Sequence, residues 1–248
     1  MTARQHSGAE PTGGEPGTVG GERGAGGAGV WGQLAARHVA YRAVRESVSA
    51  LLAEYPRAAG VAVPSCPGWT VREVVAHLLV ICQGVAGRTP EQGPPRGELE
   101  LEGLLARWAR EAGSVESLLA SGAAGTNGIL VMDAFSHELD IRAALGSPPP
   151  ARHPAASTAL WVACRGFAAS VRDHGLPPLL LRTPGTGWAT GARRPDATLA
   201  ASRLDLLRAL TGRRTPEQIV ALGWDRDPAP WLPAFSWGPF TPPRHPVE

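Results

Sequence analysis

The chain has 248 residues, of which 43% are hydrophobic and 19% are charged, and its formal net charge at pH 7 is +2. This composition predicts a chain that can bury one large core or two smaller ones. No apolar run approaches the roughly 18 to 20 residues of a membrane span, because His77 interrupts the most apolar stretch, Val74 to Cys82. The balanced charge, with no basic cluster, argues against a nucleic-acid surface.

The N-terminus and the cysteines of the chain indicate its cellular compartment. The N-terminus lacks the basic and then apolar profile of a signal peptide, so we expect a cytoplasmic protein. Cys66, Cys82 and Cys164 are odd in number and far apart, which predicts reduced thiols and no disulfide framework. Residues 1–30 contain ten of the 31 glycines and almost nothing to bury, which predicts a disordered tail.

Helical periodicity begins after this tail. Apolar residues recur at helical spacing over 31–55, and Pro56 predicts the end of this first helix. A second helix is predicted over 71–87, because Thr70 and Glu73 have the spacing of a capping box.

Two further helices complete the first half of the chain. Residues 88–97, rich in proline and glycine, predict a linker. A third helix is predicted over 99–119 and ends at the glycines of 122–125, and a fourth runs from about Asn127 to Leu145 before Gly146 and three prolines.

The four helices predict an antiparallel four-helix bundle over residues 31–150. Residues 151–248 predict a small α+β domain, so the expected overall fold class is α+β. Its elements are a helix at 155–174, strands at 179–183, 187–190 and 197–201, a helix at 204–210 and a short helix opening at Thr215. The end of the chain, rich in tryptophan and proline, is predicted to be irregular and to cover this domain.

Three residues of the bundle could bind a metal. His77 lies within the apolar second helix, where a histidine is more often a hydrogen-bonded core residue than a ligand. Asp133 and His137 are four residues apart and share one face of the fourth helix. Because a buried carboxylate needs a positive partner, we expect a metal ion, a protonated His137 or an arginine beside Asp133. Spacing alone leaves two arrangements open: a three-residue site for a divalent metal, zinc first, or a local Asp133–His137 pair with His77 elsewhere.

Longer motifs carry a family resemblance. They are CPGWTVREVVAHL at 66–78, the pattern D-x-x-x-H-x-x-D-x-R-x-A-L-G at 133–146, ASRLDLLRALTGR at 201–213 and LGWD at 222–225. With these motifs the chain resembles the mycothiol-dependent maleylpyruvate isomerase family over nearly everything after residue 30. The resemblance implies a DinB-like metal-binding four-helix bundle followed by a sterol-carrier-like α+β domain.

The resemblance also implies a function. It makes His77, Asp133 and His137 the ligands of a divalent metal, zinc first. The metal would activate mycothiol or a similar thiol as a thiolate, for isomerisation or S-transfer on a small electrophilic substrate. The isomerase of the family is expected to have glutamate in place of Asp133, so the metal would lie closer to the fourth helix or bind through water. Two hypotheses compete with this function: a non-catalytic, metal-stabilised binding or regulatory module, and a metal-free structural bundle.

Neighbouring residues complete the expectations. Trp69 is predicted to anchor the start of the second helix, and Cys66 to pack in its loop instead of serving as a fourth ligand. Asp140 could accept a hydrogen bond from a ligand imidazole or pair with an arginine such as Arg142. Arg213 is the candidate catalytic residue: it could reach an anionic substrate, although we expect it to be solvated together with the next arginine.

The expected partner is a small-molecule substrate, with no nucleic acid and no membrane. The sequence leaves open whether the protein is a monomer or a homodimer.

Overall fold

The computed structural model describes residues 34–87, 100–122 and 128–247. The predicted tail at 1–30 and the linker at 88–97 lie outside these residues, as do the predicted starts of the first, third and fourth helices. In the part of the chain that the structure describes, every helix is too short or too polar to cross a membrane.

Four helices form the first layer of the fold. They are α1 (Arg37–Glu54), α2 (Val71–Val85), α3 (Leu101–Ser121) and α4 (Ile129–Ala144). Both α1 and α2 contact α3 and α4, so the apolar faces of all four helices enclose a common core. The predicted helical bundle is therefore confirmed.

The ends of these helices follow local chemistry. Thr70 and Glu73 form the predicted capping box at the start of α2. Gly122 ends α3 in the left-handed conformation, with φ of 66°, which a residue with a side chain rarely adopts. Inside the bundle, the indole N–H of Trp108 on α3 donates to the hydroxyl of Tyr41 on α1 over 2.8 Å.

A fifth helix joins the bundle to the rest of the chain. Helix α5 (Ala156–Asp173) contacts α4, helix α6 (Arg203–Leu210) and the 3-10 helix Ala229–Phe235. Buried apolar side chains from Ala40 to Phe235 form one contact cluster. The division of the chain at residue 150 stays a prediction.

The last part of the chain carries a mixed sheet. Strands β1 (Leu179–Thr183), β2 (Thr186–Ala189), β3 (Ala197–Ala200) and β4 (Gly223–Trp224) lie in the order β2-β1-β3-β4. The β1–β3 pair is parallel, whereas β1–β2 and β3–β4 are antiparallel. Helix α7 (Pro216–Val220) precedes β4. The α+β class is confirmed, and β4 is the strand that the sequence did not predict.

Candidate metal centre

Two neighbouring helices supply the predicted ligands. His77 comes from the middle of α2, and Asp133 and His137 come from consecutive turns of α4. Because α2 and α4 pack against each other in the bundle, their facing side chains meet at one place. The i, i+4 spacing on α4 gives Asp133 and His137 a shared face toward His77.

The three side chains converge. His77 Nε2 lies 3.7 Å from one carboxylate oxygen of Asp133, and His137 Nε2 lies 3.7 Å from the other. The two imidazole rings are 5.0 Å apart and nearly perpendicular. One possible ligand atom from each residue lies within 4.8 Å of the others, a spacing that a single ion could bridge. The structure thus brings together all three residues, and the alternative with His77 elsewhere is wrong.

One oxygen of the Asp133 carboxylate has an unfilled acceptor position. Both 3.7 Å separations are too long for hydrogen bonds. Among the described residues, nothing donates a hydrogen bond to its buried Oδ2. Burial opposes ionisation of Asp133, but the neighbouring His77 and His137 more than offset this and lower its pKa. An ionised carboxylate with an unfilled acceptor beside two imidazoles fits a divalent cation, so the residues present fit the implied metal.

A second carboxylate orients one of the imidazoles. His137 Nδ1 lies 3.1 Å from Oδ2 of the fully buried Asp140. Burial opposes the charge on Asp140, but Arg213, His137 and Arg208 hold its pKa well below the usual range. Because the ionised carboxylate can only accept, His137 Nδ1 is the donor in this contact, and the ring is oriented with Nε2 toward Asp133.

The arginine partners of Asp140 come from the C-terminal part of the chain. Arg208 donates to Asp140 over 2.6 Å and Arg213 over 2.7 Å. Both predicted roles of Asp140 are therefore observed, because it contacts a ligand imidazole and pairs with arginines. Arg142, the arginine named as an example, is not one of these partners and donates to Glu138 over 2.9 Å. Local spacing favoured Arg142, which lies on the same helix as Asp140, whereas the real partners come from distant segments.

Arg213 is not solvated. It is 8% exposed, and besides Asp140 its guanidinium binds the carbonyl oxygen of Thr211 over 2.6 Å. Burial disfavours the charge of Arg213, but Asp140 more than offsets this and raises its pKa. The expectation of a solvated arginine is therefore wrong. The catalytic role predicted for Arg213 stays a prediction.

Cys66 forms a second group of possible ligands with His137 and Asp140. Its Sγ lies 3.7 Å from His137 Nδ1 and 3.6 Å from Asp140 Oδ2. Burial and the charge of Asp140 raise the pKa of the Cys66 thiol to about 12, so the sulfur is protonated at neutral pH. Because Asp140 is already saturated by arginines, the His77, Asp133 and His137 group is the better metal site.

Trp69 lies beside this group. Its ring centre is 5.2 Å from that of His77 and 6.4 Å from that of His137, and the residue is 37% exposed. The side chain predicted to anchor the start of α2 therefore also forms one wall of the candidate metal centre.

A cavity of about 580 Å³ opens beside Asp133. Trp237 is one of its lining residues, and its indole N–H donates to the carbonyl oxygen of Leu210 over 2.9 Å. Sequence reasoning treated this tryptophan as general cover for the second domain. The feature of the sequence that could have pointed to this packing is Gly166, a glycine in the middle of α5. The structure gives its reason, because an added Cβ there would lie 2.1 Å from the Trp237 ring.

A family comparison agrees with this geometry. The family model described as the DinB superfamily matches residues 40–163, which is half of the chain. The chain belongs to the DinB superfamily. The DinB match contains His77, Asp133 and His137, and domains of this superfamily commonly bind a metal. The superfamily includes mycothiol-dependent maleylpyruvate isomerase-like proteins. The comparison with curated proteins gave no significant match, and neither did the comparison with solved structures.

Proposed function

We propose that the protein is a metal-dependent and thiol-dependent isomerase or S-transferase that acts on a small electrophilic substrate. The observation that carries the proposal is the convergence of His77, Asp133 and His137 at the edge of a cavity. The unfilled acceptor on Asp133 supports a cation at this point.

Each residue has a role in holding the ion. Nε2 of His77, Nε2 of His137 and the carboxylate of Asp133 would be the ligands, a set that suits zinc first among divalent transition metals. Asp140 holds the proton of His137 on Nδ1, which keeps Nε2 available. A divalent ion with an open position lowers the pKa of a bound thiol, so that the thiolate is present at neutral pH.

The protein's own cysteines do not supply this thiol. Burial raises the pKa of both Cys66 and Cys164, and Cys82 is completely buried. We therefore propose that the nucleophilic sulfur arrives as a separate molecule, and the resemblance of the sequence favours mycothiol or a similar low-molecular-weight thiol.

In an isomerisation, the thiolate sulfur would form a bond to one carbon of an activated double bond, and the electron pair would move into the neighbouring carbonyl. Rotation about the resulting single bond and expulsion of the same thiolate would give the other isomer. In an S-transfer, the carbon–sulfur bond would remain and the substrate would take up a proton. Arg213, bound to Asp140, would act as a positioning residue for His137.

Metal analysis combined with a turnover assay tests the proposal. Purified protein should contain about one divalent metal per chain and should convert maleyl, epoxide or quinone-type substrates only when a thiol is present. His77→Ala should lose both properties. Metal binding without thiol-dependent turnover would favour the binding or regulatory module. Absence of metal, with no effect of a chelator on stability, would favour a purely structural bundle.

A further inference from the structure

The walls of the cavity beside Asp133 are mostly aromatic and apolar. Its volume of about 580 Å³ lies within the range of roughly 300 to 1,000 Å³ that is typical of sites for small organic ligands. The apolar walls come from α4, α5 and the C-terminal segment, and they include Ile129, Met132, Trp161, Trp237 and Phe240. Aromatic walls of this kind favour a flat, apolar ligand body.

Two arginines also line the cavity. Arg37 comes from α1 and Arg165 from α5, whereas Asp133 is the one acid among the described lining residues. The guanidinium carbon of Arg165 lies 4.9 Å from the centre of the Trp161 ring, a cation–π arrangement that holds the charge against the aromatic wall. Among the described lining residues, two guanidiniums and one carboxylate therefore border the cavity, and a metal at Asp133 would add positive charge there.

Gly166 determines the position of the Trp237 wall. Glycine inside a helix makes that helix less stable than alanine does, so its presence in α5 needs a reason. An added Cβ at Gly166 would lie 2.1 Å from the indole ring of Trp237. The hydrogen bond from this indole to Leu210 restrains the ring on its other side. The cavity therefore depends on the close approach of Trp237 to the α5 backbone.

We infer that this cavity binds small aromatic anions, and that the electrophilic substrate belongs to this class. The ring of the ligand would contact the aromatic walls, and the anionic group would lie toward Arg37 and Arg165. The substrate assignment rests on the proposed function. The binding of an aromatic anion does not require the metal.

Fluorescence titration of the full-length protein with anilinonaphthalene sulfonate tests the inference, because this dye combines an aromatic body with an anionic group. We expect saturable binding, and weaker binding of the neutral phenylnaphthylamine. Replacing both cavity arginines, Arg37→Gln and Arg165→Gln, should weaken binding of the sulfonate about fivefold. Arg203→Gln is the matched control, because Arg203 lines a different cavity of about 420 Å³. Its affinity should equal that of the wild type.

The variant Gly166→Ala tests whether Trp237 forms a wall of the ligand-binding cavity. It should displace Trp237 and weaken dye binding about tenfold or more, because an aromatic contact is lost from the cavity. Gly113→Ala is the control, since an added Cβ on α3 meets nothing within 4 Å. Should Gly166→Ala fail to fold, Ile129→Trp, at a position 52% exposed, fills the same cavity and should also weaken dye binding.

The outcomes separate the two proposals. Equal affinities of the charged and neutral dyes, or no effect of the arginine variants, would overturn the anion assignment. Unchanged dye binding in folded Gly166→Ala or Ile129→Trp would overturn this cavity as the site. The titration is repeated after removal of metal with a chelator, where dye binding should persist. A failure to bind metal would therefore refute the proposed function and leave the dye result standing.

Discussion

Two carboxylates on one helix, Asp133 and Asp140, serve opposite purposes. Asp140 is completely buried, and the N–H groups of Arg208, Arg213 and His137 surround both of its oxygens. The side chain of Asp133 is 31% exposed, borders a cavity and has an oxygen with no donor among the described residues. Asp140, whose oxygens all accept hydrogen bonds, is a saturated carboxylate that joins distant segments of the fold. Asp133, which has an unfilled acceptor beside two imidazoles, is an unsaturated carboxylate that can bind a cation. His137 lies between them and links the two clusters.

The largest effect should come from removing the saturated carboxylate. Asp140→Asn removes the anion that compensates two buried guanidiniums, and we expect the free energy of unfolding to fall by about 3 to 5 kcal/mol. Urea denaturation of the metal-free protein measures this. Asp133→Asn, the same change seven positions earlier, should alter the free energy of unfolding by less than about 1 kcal/mol, because its nearest ionisable neighbours are two histidines and not a pair of buried guanidiniums. Equal losses in the two variants would refute the distinction between the clusters.

The group of His77, Asp133 and His137 should affect the free energy of unfolding when metal is present. Zinc at about 1,000 times its dissociation constant should raise the free energy of unfolding of the wild type by about 4 kcal/mol. His77→Ala should lose most of this increase, because it removes a ligand, while its metal-free stability should stay close to that of the wild type. Calorimetric melting with zinc and with chelator gives both values. An equal zinc response in the two proteins would contradict the assignment of His77 as a ligand.

The pH dependence of stability should distinguish the same two residues. The pKa of Asp140 is lowered in the folded protein, so its contribution is fully present above the unfolded value of about 4. This contribution is lost as the pH falls from about 4 toward the lower folded pKa. In Asp140→Asn, the fall in unfolding free energy below about pH 4 should be clearly shallower than in the wild type. Urea titrations across this range measure the slope, and identical slopes would show that Asp140 is not the titrating group.

The smallest effect should come from Cys66. Its sulfur is protonated and lies against the saturated cluster, so we expect Cys66→Ala to change zinc affinity by less than about threefold. Competition titration with a chromophoric chelator measures the affinity, with His77→Ala as the variant that should lose it. A loss in Cys66→Ala as large as that in His77→Ala would make sulfur a ligand.

Much of the fold could be predicted because local chemistry determines it. The fifth helix, predicted over 155–174, is observed at Ala156–Asp173, since its apolar face and terminal glycine define it without long-range information. The strand Gly223–Trp224 could not be predicted, because two residues carry no alternation. It forms by pairing with β3.

The site likewise has a part that local sequence predicts and a part that depends on long-range packing. Asp133 and His137 could be predicted as neighbours because one helix turn joins them, and the family resemblance added His77. The partners of Asp140 could not be predicted, because Arg208 and Arg213 follow it by 68 and 73 residues. The cavity could not be predicted either, because it depends on where the C-terminal Trp237 packs against Gly166.

Cobalt titration followed by absorption spectroscopy tests the central claim most directly, because cobalt reports both how much metal binds and which atoms bind it. The wild type should bind one Co²⁺ per chain, with visible bands and no sulfur-to-cobalt charge-transfer band, and His77→Ala should show neither the bands nor the binding. The claim is contradicted if the wild type binds no cobalt, if His77→Ala gives the same spectrum, or if a strong sulfur band shows that Cys66 is a ligand.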